Sequence, residues 1–428
     1  MDPSDSDAAR VVPARRTRIA TAAILLLCSQ ARLTAQPDAG AHAVLDSIRE
    51  RALENVRTLP NYTCTSVIER SARRSVSHRF ENVDRIHLEI AYIGGSELFG
   101  WPAGERIGEQ DLRRFVGGSI TNGDFALLTR ALFAGPSVTF KTAIRKDLGG
   151  RPVWNLDFSS PREGSEWVLT LEQREEPVAY SGSLQADPDS LRLISIGMSA
   201  DYIPREFGYR RVTRHLEFQP VRIGSNEVML PSRAEFLTLD RNGEETRNEA
   251  SFTGCREYTA ESVLRFEEAE PEPAKPAVNE AAGGLPEQFE ASCELETPVD
   301  SDVAAIGDAV TLRLTRSITG KSGVVVPKGA VLHGRIKLLS VLGGHRCAEF
   351  GFRYFEWDGK RLEISGRENR MIVTTRRISG SQNSGPGNWS PTLPTVEATP
   401  ESMIRASGRR LVLARGFALK LESKAKEH

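Results

Sequence analysis

Apolar residues recur at three- and four-residue steps in two places along this chain. Val44, Leu45, Ile48, Ala52 and Val56 follow that spacing with charges between them, predicting a helix over Ala41–Arg57 that Pro60 ends. The segment DFALLTRALF, Asp124–Phe133, is the second predicted helix, with Phe125, Leu128, Leu132 and Phe133 on one side. Elsewhere the dominant period is two. Alternation predicts strands at Asn61–Arg70, Arg85–Tyr92, Val138–Ile144, Val153–Phe158, Trp167–Glu172, Ala179–Ala186, Leu191–Ser199, Tyr209–Val221, Glu227–Leu237 and Thr246–Phe252. Gly149-Gly150, Asp187-Pro188 and Asn242-Gly243 punctuate the series as turns.

The pattern stops at Glu267–Glu290, where Glu, Pro and Ala dominate. Such a stretch buries no core and reads as an acidic linker, residues 267–290, between two domains that would be separable by proteolysis. The first domain then covers 41–265 and the second 291–428. The second is again strand-rich: Cys293–Thr297, Ala309–Leu314, Gly323–Val326, Ala330–Leu338, Cys347–Trp357, Lys360–Ile364, Arg370–Thr375 and a closing strand at Leu411–Leu421. Residues 379–400, rich in Gly, Ser, Pro and Asn, form a long loop. The fold class expected is mainly β (α+β), with a helix-bearing antiparallel sheet followed by a small β-barrel or sandwich.

A chain of 428 residues fits two domains. Its formal net charge of −1 gives no general attraction to nucleic acid. The N-terminus changes the picture more. Arg10, Arg15, Arg16 and Arg18 precede an apolar run, Ile19–Leu27, and small or polar residues lead to Leu33-Thr34-Ala35. This is the layout of a secretory signal peptide over residues 1–35, with cleavage after Ala35 or Ala31. The expected location is periplasmic or extracellular. Cys28 follows Leu27 rather than the small residue a lipid anchor needs.

Removing Cys28 leaves Cys64, Cys255, Cys293 and Cys347, an even number in an exported chain, which points to disulfides. Four cysteines allow three connectivities. The domain division favours Cys64–Cys255 and Cys293–Cys347. No C-x-x-C pair and no zinc-finger spacing to histidine is present, so neither a metal nor another cofactor is expected.

The sequence has no H-E-x-x-H and no G-x-S-x-G. Gly320-Lys321-Ser322 lacks the upstream glycine of a phosphate loop and reads as a hairpin turn. Asp84 with Glu89, and Asp201 with Glu206, are surface carboxylates rather than acid/base pairs. Arg73-Arg74 and Arg210-Arg211, with Arg205 nearby, are short basic clusters interrupted by acids and read as solvated. No enzyme is expected. The segment Ala91–Gly104, AYIGGSELFGWPAG, gathers Tyr92, Leu98, Phe99 and Trp101 among glycines. Such a segment either lines a binding mouth or tucks its aromatics into the core.

Several of these features together resemble the LolA/LppX-like superfamily of envelope carriers. They are the Ala41–Arg57 helix, the opening strand NYTCTSVIER, the helix at Asp124–Phe133, the run SGSLQADPDSLRLISI (Ser181–Ile196) and the step Val228–Pro231. The resemblance implies a curved antiparallel half-barrel with helices plugging its concave face, and a lipid or lipidated protein as cargo. It assigns the lip to Tyr92, Leu98, Phe99 and Trp101 and the plug to Phe125, Leu128 and Leu132. Exported bacterial proteins share the opening L-P-x-Y-x-C-x-x-x-I-E-R and the late F-x-G-C-R-x-Y found here at Leu59–Arg70 and Phe252–Tyr258. The second domain resembles small β-domains of periplasmic scaffold proteins through Val299-Asp300-Ser301, Ile306-Gly307-Asp308 and Val325–Arg335. A shared β-fold does not establish shared function, and the alternative to a carrier is a structural or adaptor protein that contacts envelope proteins and holds no small ligand.

Overall fold

The computed structural model describes residues 39–102, 106–107, 126–171, 174–258, 285–321, 323–342, 345–364, 367–373, 396–398, 403–406 and 410–425. The expected signal peptide, most of the linker, Phe125 and most of the 379–400 loop lie outside the described residues.

The first half opens with helix α1 (Ala39–Arg57) and carries α2 (Leu127–Ala134) midway. Its strands are β1 (Tyr62–Arg73), β2 (Glu81–Ile93), β3 (Ser96–Gly100), β4 (Arg106–Ile107), β5 (Thr139–Phe140), β6 (Ile144–Leu148) and β7 (Arg151–Ser160). They continue with β8 (Val168–Leu171), β9 (Arg174–Pro177), β10 (Tyr180–Ala186), β11 (Leu193–Ala200), β12 (Tyr209–Ile223), β13 (Asn226–Asp240) and β14 (Glu245–Glu257). All but the β8–β9 hairpin join one curled, antiparallel 12-stranded sheet in the order β4-β3-β2-β1-β14-β13-β12-β11-β10-β7-β5, with β6 also on β7.

Period-two alternation puts one register row on the inner face of that sheet. Ile86, Ile68, Ala250, Ala234, Leu216, Ile196, Leu184 and Leu156 stand opposite one another across eight strands. All are buried except the half-buried Ala250. α1 covers part of this face because its apolar stripe, Leu45, Ile48 and Ala52, packs with Leu128, Leu132 and Phe133 of α2. Asn55 fastens α1 by a two-point bond, its amide donating to the Met229 carbonyl at 2.9 Å and accepting from the Met229 amide at 2.8 Å. A second cover is the β8–β9 hairpin with the segment after β11, where Leu169, Val178, Ile203 and Phe207 pack on Val212.

The second half contributes β15 (Gln288–Leu295), β16 (Val299–Asp300), β17 (Ala309–Leu314), β18 (Ile318–Gly320), β19 (Gly323–Val326), β20 (Val331–Leu342) and β21 (His345–Trp357). It ends with β22 (Lys360–Glu363), β23 (Arg367–Val373), β24 (Val396–Ala398), β25 (Ile404–Ala406), β26 (Val412–Leu413) and β27 (Ala418–Ala425). A 9-stranded sheet runs β23-β27-β15-β17-β20-β21-β25-β24, with β22 on β21. Gly320 pairs with Gly323, so β18 and β19 form a hairpin that turns after Gly320. Pro327-Lys328-Gly329 is the tight turn feeding β20, with the Ala330 amide on the Pro327 carbonyl at 3.2 Å.

Three expectations change. The segment Ala91–Gly104 is not all loop: Gly94 and Gly95, at φ +58° and +85°, turn β2 into β3, so Ser96–Gly100 pairs back along the sheet. The closing strand Leu411–Leu421 is two strands, because Gly416 at φ +83° breaks it and the Phe417 amide bonds back to Ala414. The bridge Cys293–Cys347 is not formed. Cys64 and Cys255 are joined, with Cα atoms 4.1 Å apart, but Cys293 and Cys347 are free and buried. They lie on β15 and β21, which β17 and β20 separate. Three strand steps are ~14 Å along the sheet, against the ~7 Å that a bridge tolerates.

The turn between β10 and β11 shows why D-P-x-x-L-R-L folds as it does. The Asp187 carboxylate accepts the Ser190 amide and hydroxyl, both at 2.9 Å, and the Asp189 amide at 3.2 Å. The Ser190 amide first, then its hydroxyl, holds the Asp187 carboxyl below the usual range. Arg410 does the same for Asp300. A depressed carboxyl stabilises the fold above the unfolded aspartate value, near pH ~3.9, and that contribution is lost as pH falls through the lower folded value. Urea denaturation at successive pH values should therefore show stability falling below about pH 4. Asp187→Asn with Asp300→Asn should make that fall shallower.

Candidate functional site

The residues expected to form a ligand mouth are separated by the fold. Tyr92, Leu128 and Leu132 belong to the cluster under α1 and α2. The Tyr92 ring stacks on Tyr62 with centroids 5.5 Å apart. Burial raises both phenols, then Glu97 raises Tyr62 further, while Arg130 partly offsets the rise at Tyr92. Leu98 is half-buried on β3, and Phe99 touches this cluster and the core of the second sheet. Trp101 packs on the cluster that contains the core of the second sheet. Phe125 lies outside the described residues.

Glu97 is a residue the sequence reading passed over. Its carboxylate on β3 accepts the Ala126 amide at 3.1 Å and the Leu127 amide at 3.5 Å. It thus caps the start of α2, where helix amides lack partners and a negative charge is favoured. Glu97 lies in sequence among Tyr92, Phe99 and Trp101 and gives no capping-box spacing, so only the tertiary fold reveals it.

The inner face has a third cover, and it is the second half of the chain. Ile68, Ile86, Leu88 and Ile107 of the first sheet share one hydrophobic cluster with the core of the second. Ile306 adds a parallel bridge to the free edge of β2: the His87 amide donates to its carbonyl at 2.9 Å, and its amide donates to the Arg85 carbonyl at 2.8 Å. Arg85 reaches the carbonyls of Asp302 and Val303, each at 3.3 Å, and His87 Nδ1 lies 2.9 Å from Asp308 Oδ1. Gly307, at φ +98°, lies against Trp101 so closely that a Cβ there would stand 2.4 Å from the indole. The motif Ile306-Gly307-Asp308 is therefore a joint. At this contact Ile68 and Ile86 leave water by packing against the core of the second sheet.

A cleft of about 100 Å³ opens between α1, α2 and the start of β11, lined in part by Ala52, Asn55, Thr129, Arg192, Phe218 and Met229. Arg192 pairs with Glu227 there at 2.6 Å and holds its carboxyl low. Small-molecule sites are commonly about 300–1,000 Å³, so this cleft does not accommodate an acyl chain. The candidate carboxylates are committed to structure. Asp84 binds Arg70, Glu89 lies 2.9 Å from Arg256 on the opposite face of β2, and Asp201 accepts the Ser181 hydroxyl. Among the described residues no three His, Cys, Asp or Glu side chains gather as a metal site. Among them, too, no helix is long and apolar enough to cross a membrane.

No family model matches the chain, and no curated protein matches it. Among solved structures, a LolA superfamily protein of Nitrosomonas europaea is similar at 12% identity and TM-score 0.28, over 50% of this chain and 93% of that one. A putative outer membrane lipoprotein-sorting protein domain of Vibrio parahaemolyticus aligns at 11% identity and TM-score 0.28, over 50% and 92%. A DUF1329 family protein of Desulfovibrio piger aligns at 12% identity and TM-score 0.29, over 51% and 94%.

Proposed function

We propose that this chain is an exported, non-enzymatic protein of the bacterial envelope that works by holding a protein partner. The single observation that carries this reading is the occupied inner face. α1 and α2 cover one part, the β8–β9 hairpin another, and the second sheet a third. The LolA-like sheet then serves as a platform joined to a scaffold-like β-domain. Native mass spectrometry of protein purified from the periplasm tests this. The expected mass is that of the mature oxidised chain alone. A lipid that stays bound would overturn the adaptor reading.

One observation favours a carrier instead. α2 has eight residues, and Glu97 holds its first amides from β3. Displacing it would expose an apolar inner face beside Tyr92, Leu98 and Phe99. Under that reading delipidated protein binds a fluorescent fatty acid, and Leu128→Trp weakens binding without unfolding the chain. Under the adaptor reading neither protein binds the probe.

A further inference from the structure

The two short arginine clusters, far apart in sequence, meet at one rim of the first sheet. Arg73 stands opposite Glu245, Glu245 opposite Leu239, and Leu239 opposite Arg211. The fully buried Glu245 carboxylate bonds Arg73 on one side and Arg211, at 2.6 Å, on the other. It holds together two guanidiniums that would otherwise repel. Phe80 works similarly, with Arg73 and Arg247 at 4.4 and 4.2 Å from its ring centroid.

Backbone bonds extend the rim. The Arg241 amide donates to the Gly208 carbonyl at 2.9 Å, and the Arg210 guanidinium donates to the Arg241 carbonyl at 2.6 Å. Three chain reversals, residues 74–80, 241–244 and 201–208, therefore form one connected surface. It lies at the end of β1 away from Tyr62 and the helices. From β2 to β11 the sheet order gives five strand steps, ~24 Å at the usual spacing.

Two features set this rim apart from a solvated face. Arg74 and Arg79 are exposed and bond to none of the described residues. Val76 and Tyr202, on the first and third reversals, are 65% and 63% exposed. Several of the nearby acids are engaged: Asp240 by the Asn242 and Glu244 amides at 2.8 Å each, Asp201 by Ser181. Exposed Glu81, Glu206 and Glu244 offset part of the charge. Free guanidiniums flanked by an exposed valine and tyrosine match a surface that offers anions at its face and apolar depth just beneath. Tyrosine suits that boundary because its ring is apolar and its hydroxyl wet.

We propose that this rim docks the protein on the anionic phospholipid surface of a bilayer. The rim lies off the inner face, so the proposal stands or falls separately from what that face holds. Co-sedimentation with vesicles tests it, comparing phosphatidylcholine alone with equal parts phosphatidylcholine and phosphatidylglycerol. The expected result is binding to the mixed vesicles only, weakening as salt rises. Arg74→Glu with Arg79→Glu should lower the vesicle partition coefficient by about tenfold or more, since each reversal replaces attraction with repulsion. Val76→Ser with Tyr202→Ser should lower it without changing the salt dependence. All four side chains are exposed, so thermal melts of the variants should match the parent. Equal binding to both vesicles, or unchanged binding by the charge-reversed variant, would overturn the proposal. So would salt-sensitive binding to polyglutamate with no vesicle binding, which would assign the rim to an acidic protein.

Discussion

Cys64→Ser with Cys255→Ser should lower the unfolding free energy by about 4–5 kcal/mol, the largest single effect expected in this chain. The bridge joins residues 191 positions apart, so in the unfolded chain it closes a very long loop. The local fold is built to accept it. Thr63 pairs with Arg256 and Thr65 with Thr253, so Cys64 faces both Gly254 and Cys255. Gly254 takes φ +60°, as a bulge of this kind requires, and the bulge brings the two sulfurs together between neighbouring strands. Guanidinium denaturation of parent and variant is the measurement. A loss below about 1 kcal/mol would mean that the unfolded chain stays compact without the bridge. Thiol titration of the parent complements it. The thiols of Cys293 and Cys347 should react only after unfolding, because both are buried, and burial pushes the Cys293 thiol up to about 12. No reactive thiol after unfolding would contradict the free cysteines.

Gly307→Ala should separate the two halves, at a cost of about 3 kcal/mol or more to their contact. Two terms combine. Alanine is strained at φ +98°, and its Cβ would stand 2.4 Å from Trp101 and 2.6 Å from the His87 carbonyl. The indole is held by the surrounding cluster and the carbonyl by the Ile306 bridge region, so neither gives way easily. Limited proteolysis in the acidic linker followed by size-exclusion chromatography reads the outcome. The nicked parent should elute as one body, because the shared cluster holds the fragments. The nicked variant should elute as two. If the nicked parent also separates, the joint is too weak to hold the sheets together.

Much of the strand layout was legible from alternation alone, because a half-buried strand leaves a period-two record in its own residues. The failures are equally physical. β3 was hidden behind the aromatic content of Ser96–Gly100, although Gly94-Gly95 was the hairpin signal. The partition of the inner face was not legible at all. Tyr62 and Ile68 share one face of β1 and look alike in sequence, yet one lies under the helices and the other under the second sheet. Which cover each receives depends on register between strands far apart in the chain. The same holds for Trp101, read as a lip and found in the joint. The cysteine count was even, but sheet order, which no count contains, decided that Cys293 and Cys347 stay apart.

The pairing of β1 with β14 also has a kinetic side. β1 has β2 and β14 as its neighbours, and β14 begins at Glu245. Until that strand is available, β1 keeps one bare edge, and the row from Ile68 to Ala250 is interrupted. The meander of the first sheet is therefore completed by one contact of very long sequence separation, a pairing that forms slowly and leaves strand edges open to aggregation meanwhile. A chain of this kind gains from a holding chaperone that covers its open strand edges while it folds. Its refolding yield should drop steeply with protein concentration well before its equilibrium stability is in question.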